Sequence, residues 1–96
     1  MTKNQELDDL RCEIKELTKK IVELAGKRIV LAKKIGIIKV SKELPLQDFK
    51  IENELRKTIV ETCKKNSINV DYGLRLLNLL IDESVREERL MLKKKM

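Results

Sequence analysis

The sequence has no histidine and no tryptophan, and only one tyrosine, one phenylalanine and one proline among 96 residues. Without histidine, Cys12 and Cys63 have neither companions for a zinc site nor a base to activate a thiolate. Each is expected as a small buried or half-buried side chain in a reducing compartment. With aromatics at 2% there is no platform for stacking bases, and no helix-turn-helix spacing takes its place. No apolar run approaches the ~20 residues that cross a bilayer, and the start carries no signal-peptide apolar region. The expectation is a soluble, cytoplasmic protein with neither membrane nor nucleic acid as partner.

What the chain does have is charge and helix formers. Charged side chains make up 40% and apolar ones 42%, with three glycines. So charged a chain invites a disordered reading, but its apolar residues recur with a period. Leu, Ile, Lys, Glu and Arg dominate, a bias toward long helices. One small domain is expected over residues 1–96, with a limited core of its own. The net charge of +6 admits nucleic acid, an anionic surface or a small polyanion. Lys19-Lys20, Lys33-Lys34 and Lys64-Lys65 read most simply as solvated helix faces. Lys93 to Lys95 suit the negative end of a terminal helix.

From Leu7 the positions Leu10, Ile14, Leu17, Ile21, Leu24, Arg28, Leu31, Ile35 and Ile38 step by three and four, a heptad seam. It predicts a first helix over about 5–40. Gly26 and Gly36 each weaken that helix by roughly 1 kcal/mol, which a packed seam absorbs. Pro45 enforces a loop. A second stripe at Asp48, Glu52, Leu55, Ile59 and Cys63 predicts a helix over about 48–65. After a polar connection at Asn66, Ser67 and Asn69, Asp71 is a good cap for a third helix over about 71–93. That helix carries Leu74, Leu77, Ile81, Ser84, Glu88 and Met91 on one face. The fold class is all-α.

A first helix of ~35 residues spans about 50 Å, whereas a globule of this size is roughly 32 Å across. A lone chain would leave much of the apolar seam in water. An intertwined antiparallel two-fold dimer is the economical remedy.

The informative residues are the polar ones on inward stripes. Arg28 takes a seam position between Leu24 and Leu31, and Arg11 and Lys39 flank the seam at Leu10 and Ile38. Asp48 and Glu52 extend the second stripe, Ser84 and Glu88 the third. Singly, each has a structural explanation. Asp48 can cap a helix, Ser84 can bond its own i−4 carbonyl, Arg11 and Lys39 can snorkel, and Arg28 can pair with a carboxylate to fix register. Arg11 and Lys39 lie about 42 Å apart on one helix. If two first helices cross antiparallel near residue 22, the partner's Arg11 falls level with residue 33, between Arg28 and Lys39. Three cations then gather at each of two equivalent sites, suited to a small dicarboxylate.

These residues resemble a known family, the all-helical chorismate mutases. The resemblance rests on Leu10-Arg11-x-x-Ile14, Arg28-x-x-Leu31-Ala32, Lys39, Pro45-x-x-Asp48, Glu52 and Asp82-Glu83-Ser84-Val85, in order, over nearly the whole chain. It implies a domain-swapped dimer of three-helix chains that rearranges chorismate to prephenate without cofactor or metal. It also implies that the partner's Arg11, with Arg28 and Lys39, holds the substrate carboxylates, helped by Ser84. Asp48 and Glu52 would bind the ring hydroxyl. Lys39 and residue 88 would donate to the ether oxygen as negative charge grows there, so Lys39, Glu88 and Arg28 are the expected catalytic residues. The family commonly has Gln at position 88. An ionised Glu88 has no proton to donate, so Glu88 is expected to act protonated, with activity rising toward acidic pH. Ile51 stands where the family often has Arg.

Two other functions fit parts of the pattern. A lyase removing pyruvate from isochorismate would use the same scaffold, though the presence of both hydroxyl partners, Asp48 and Glu52, favours the mutase. A basic helical dimer binding nucleic acid would place its cations outward, whereas these interrupt inward seams.

Overall fold

The computed structural model describes residues 3–95, with side chains from Asn4 to Lys94. Three helices follow one another, α1 Lys3–Ser41, α2 Phe49–Lys65 and α3 Val70–Lys95, with no strand among the described residues. Their number, order and approximate limits are those the periodicity predicts. The molecule measures 62 × 29 × 14 Å. At 1.5 Å per residue α1 alone accounts for the long dimension.

The helix ends are set by local hydrogen bonding. Past α1, Glu43 turns left-handed (φ 56°) and the Leu44 N–H reaches the Lys39 carbonyl at 2.8 Å. Past α2, Ser67 does the same (φ 55°), and the Ile68 N–H reaches the Cys63 carbonyl at 2.8 Å. Both closures satisfy carbonyls that the helix leaves without a partner. Asp48 caps α2, its Oδ1 accepting from the N–H groups of Lys50 (3.1 Å) and Ile51 (3.3 Å). The cap of α3 is not Asp71. Asn69 Oδ1 accepts from the Tyr72 N–H at 2.9 Å, while Asp71 lies inside the first turn and pairs with Arg75. Both side chains have the right chemistry, and Val70 already being helical decides between them.

Helix α3 is the common support. It packs against α1 and against α2, which make no close backbone approach to each other. Among the described residues, Ala32, Cys63, Leu77 and Ile81 are the buried apolar ones. Two glycines permit the close approaches. A Cβ on Gly73 would collide with Cys63 Sγ, and one on Gly36 would lie 3.2 Å from Glu88 Cγ and 3.3 Å from Glu88 Cα.

The heptad seam of α1 does not face α3. Leu24, Leu31, Ile35 and Ile38 are all exposed. The stripe turned to α3 is Ala25, Ile29, Ala32, Gly36 and Val40, whose small members let the backbones come close. From Asn4 to Leu24 every side chain of α1 is exposed, since neither other helix extends alongside. Cys12 lies in that stretch and is therefore exposed, contrary to expectation, whereas Cys63 is buried. None of the described helices is long and apolar enough to cross a membrane.

Candidate active site

Because α1 and α2 lean on α3 without meeting, a cleft of about 380 Å³ opens between them, within the ~300–1,000 Å³ range of small-ligand sites. Its apolar wall is Leu31, Ala32, Ile35, Ile51, Leu55, Ile81 and Val85. Set into it are Arg28 and Lys39 from α1, Asp48 and Glu52 from the start of α2, and Ser84 and Glu88 from α3. Six of the seven residues singled out in the sequence thus converge. Arg11 does not join them in its own chain. It is exposed, pairs loosely with Asp8 at 3.6 Å, and stands about 25 Å up the helix from Arg28.

Two pairs among the six are bonded to each other, Arg28 with Ser84 and Lys39 with Glu88. Arg28 Nη1 donates to the Leu80 carbonyl at 2.9 Å and to Ser84 Oγ. No carboxylate of its own chain lies within 4.0 Å of Arg28 among the described residues. Nη2 and Nε remain for an anion arriving in the cleft. Ser84 Oγ donates to the Leu80 carbonyl at 3.0 Å, the i−4 bond its position suggests. Its one hydroxyl proton must leave that carbonyl before it can serve a ligand.

Lys39 Nζ donates to the Leu46 carbonyl and, at 3.1 Å, to Glu88 Oε1. The carbonyl comes from the loop that the left-handed Glu43 turns back, so the end of α1 fixes the ammonium at the cleft's rim. Glu88 is 5% exposed, pressed against Gly36. Asp48 spends Oδ1 on its cap, which leaves Oδ2 free to accept from a ligand. The cap and the site are one residue here. Glu52 is buried, with Gln47 Nε2 at 3.4 Å from Oε2 and Arg56 Nη2 at 3.9 Å from Oε1.

Sequence reasoning missed Gln47, Arg56, Gly36 and the Leu46 carbonyl. Only Arg56 had a signal, its i+4 spacing from Glu52. A second depression of about 580 Å³ lies beside Gln47, Arg86, Arg89 and Lys93. Its polar side chains are exposed, and none of the expected residues lines it.

Three helices around a cleft lined by two cations and three carboxylates define a helical protein with a site for a small, multiply charged ligand. The chain belongs to the chorismate mutase type II family, whose profile matches residues 10–89. It is 34% identical over 94 residues to the bifunctional chorismate mutase/prephenate dehydratase of Buchnera aphidicola from Schizaphis graminum, covering 98% of this chain and 24% of that protein. It is 28% identical over 80 residues to the chorismate mutase of Methanocaldococcus jannaschii, covering 83% of this chain and 81% of that one. The bifunctional protein of Escherichia coli K12 is 29% identical over 92 residues, 96% of this chain. The chain spans about a quarter of the length of the bifunctional relatives it matches.

Proposed function

We propose that this chain is a chorismate mutase, rearranging chorismate to prephenate in a two-fold dimer whose long first helices cross antiparallel. One observation carries the reading: the family match runs through a single cleft holding Arg28, Lys39, Asp48, Glu52, Ser84 and Glu88. In the reaction one C–O bond breaks and one C–C bond forms within the same molecule. The protein therefore has to select a conformer and stabilise charge, with no group to transfer. Arg28, Lys39 and the partner's Arg11 hold the two carboxylates in the compact, reactive arrangement, an orientation effect. Asp48 and Glu52 bind the ring hydroxyl, whose one proton goes to Glu52, and Ser84 turns its proton to a carboxylate. Lys39 and a protonated Glu88 donate to the ether oxygen as its bond breaks.

Charge balance supports the partner's Arg11. Alone, the cleft sets two cations against three carboxylates, a poor host for a dianion. With the partner's Arg11 added, three cations meet the three carboxylates. The dimer has independent support in the bare apolar side chains of Leu7, Leu10, Ile14, Leu17 and Ile21, 45–65% exposed, a run long enough to call for a cover.

The test follows chorismate consumption by the purified chain and by Arg28→Ala. Removing the guanidinium is expected to lower kcat/KM by about 100-fold or more. Equal rates in the two proteins, or no turnover by the parent chain at acidic and neutral pH, would overturn the assignment.

A further inference from the structure

Glu52 is the carboxylate of the cleft with the least evident support. It is 9% exposed and no lysine among the described residues lies within 4.0 Å of it, so its charge depends on neighbours that hold it in place. Both oxygens have one. Gln47, from the loop before the α2 cap, donates to Oε2 at 3.4 Å, and Arg56, one turn further along α2, lies 3.9 Å from Oε1. Arg56 is itself braced, its Nη1 donating to Asn53 Oδ1 at 3.3 Å. Position in the first turn of α2 adds the positive end of the helix to the same side. Neither Gln47 nor Arg56 lines the cleft. Whatever they do for a ligand, they do through Glu52.

We propose that Gln47 and Arg56 are positioning residues that clamp the Glu52 carboxylate from two sides and leave its remaining lone pairs facing the ring hydroxyl of the substrate. The assignment rests on the mutase reading above. A carboxylate so held accepts the hydroxyl without first reorienting, and turns away a ring with no hydrogen to give. Gln47 and Arg56 thereby contribute to selectivity from outside the cleft.

A double-mutant cycle tests it, with kcat/KM for chorismate as the readout. Arg56→Ala and Gln47→Leu are each expected to lower it about 10-fold. Arg56→Lys should recover much of the loss, because a cation returns to the same place. In a Glu52→Gln background, Arg56→Ala should change nothing further, since the carboxylate it acts through is gone. If the two losses multiply instead, Arg56 acts independently of Glu52 and the inference is wrong. Arg56→Gln serves in the cycle should Arg56→Ala fail to fold. A parent chain without mutase activity would remove the mutase reading and this inference together. An active parent with multiplying losses would remove this inference alone.

Discussion

At position 88 the carboxyl is buried and 3.1 Å from Lys39 Nζ, and the proposed chemistry needs a proton on it. An ionised Glu88 can only accept hydrogen bonds, so it would repel an oxygen that is gaining negative charge. Activity is therefore expected to be higher at acidic than at neutral pH. Glu88→Gln supplies an N–H at every pH and should flatten the profile across the acidic and neutral range. A variant profile of the same shape as the parent's would contradict the role. Gly36 matters to the same atom pair. A Cβ there would press on Glu88 Cγ and on its Cα at 3.3 Å, and the Cα can yield only if α3 shifts. Overpacking of that kind costs about 1–3 kcal/mol, against about 1 kcal/mol gained by replacing a helical glycine with alanine. Gly36→Ala is thus expected to cost a net of about 0–2 kcal/mol, read as a melting temperature lowered by up to about 10 °C, while kcat falls about 10-fold as Lys39 and Glu88 separate. The sequence marked Gly36 only as a weak point in a helix. Its use appears once Glu88 is opposite, a pairing that no spacing within α1 encodes.

Among the elements, the ends carry the prediction. Two helices terminate on left-handed residues that are not glycine, Glu43 and Ser67. A side chain in that region costs roughly 1–2 kcal/mol, offset in part by the extra freedom glycine brings to the unfolded chain. Ser67→Gly is expected to stabilise the chain by about 0.5 kcal/mol in urea or thermal unfolding and to leave turnover alone, as Ser67 lies far along α2 from the cleft. Elements were the most legible scale. Ile81, Ser84 and Glu88 on α3, and Glu52 and Cys63 on α2, sit at a helical period and are turned inward as that period requires. Pro45 marked the break, and Asp48 announced a cap. Less legible was which face of α1 meets α3, because α1 has two apolar stripes. The larger side chains form the more conspicuous seam, yet the small ones at Ala25, Ala32 and Gly36 take the intramolecular contact.

For the whole molecule the proposal is a shared site, and complementation measures it. Arg11→Ala chains and Arg28→Ala chains should each be nearly inactive. Mixed and allowed to exchange in equal amounts, they should recover about a quarter of parental activity. Half the dimers are then mixed, and each mixed dimer has one of its two sites intact. No recovery, with exchange verified by sedimentation or mass spectrometry, would place Arg11 outside the site. Here too the sequence was partly readable. Six residues of the proposed site could be read from their stripes because one chain brings them to one cleft. The seventh, Arg11, joins them only in the proposed dimer, since among the described residues of its own chain it pairs with Asp8 alone.

The bare stretch from Asn4 to Leu24 also bears on how working enzyme accumulates. A helical segment without neighbours is marginal in water, because propagation barely outweighs fraying. In the proposed dimer its order arrives only with a second chain, so the last step in building either site is an encounter. Recovery of activity after dilution from denaturant is then second-order in chain. Halving the concentration doubles the half-time, and scarce chains wait longest to become catalysts.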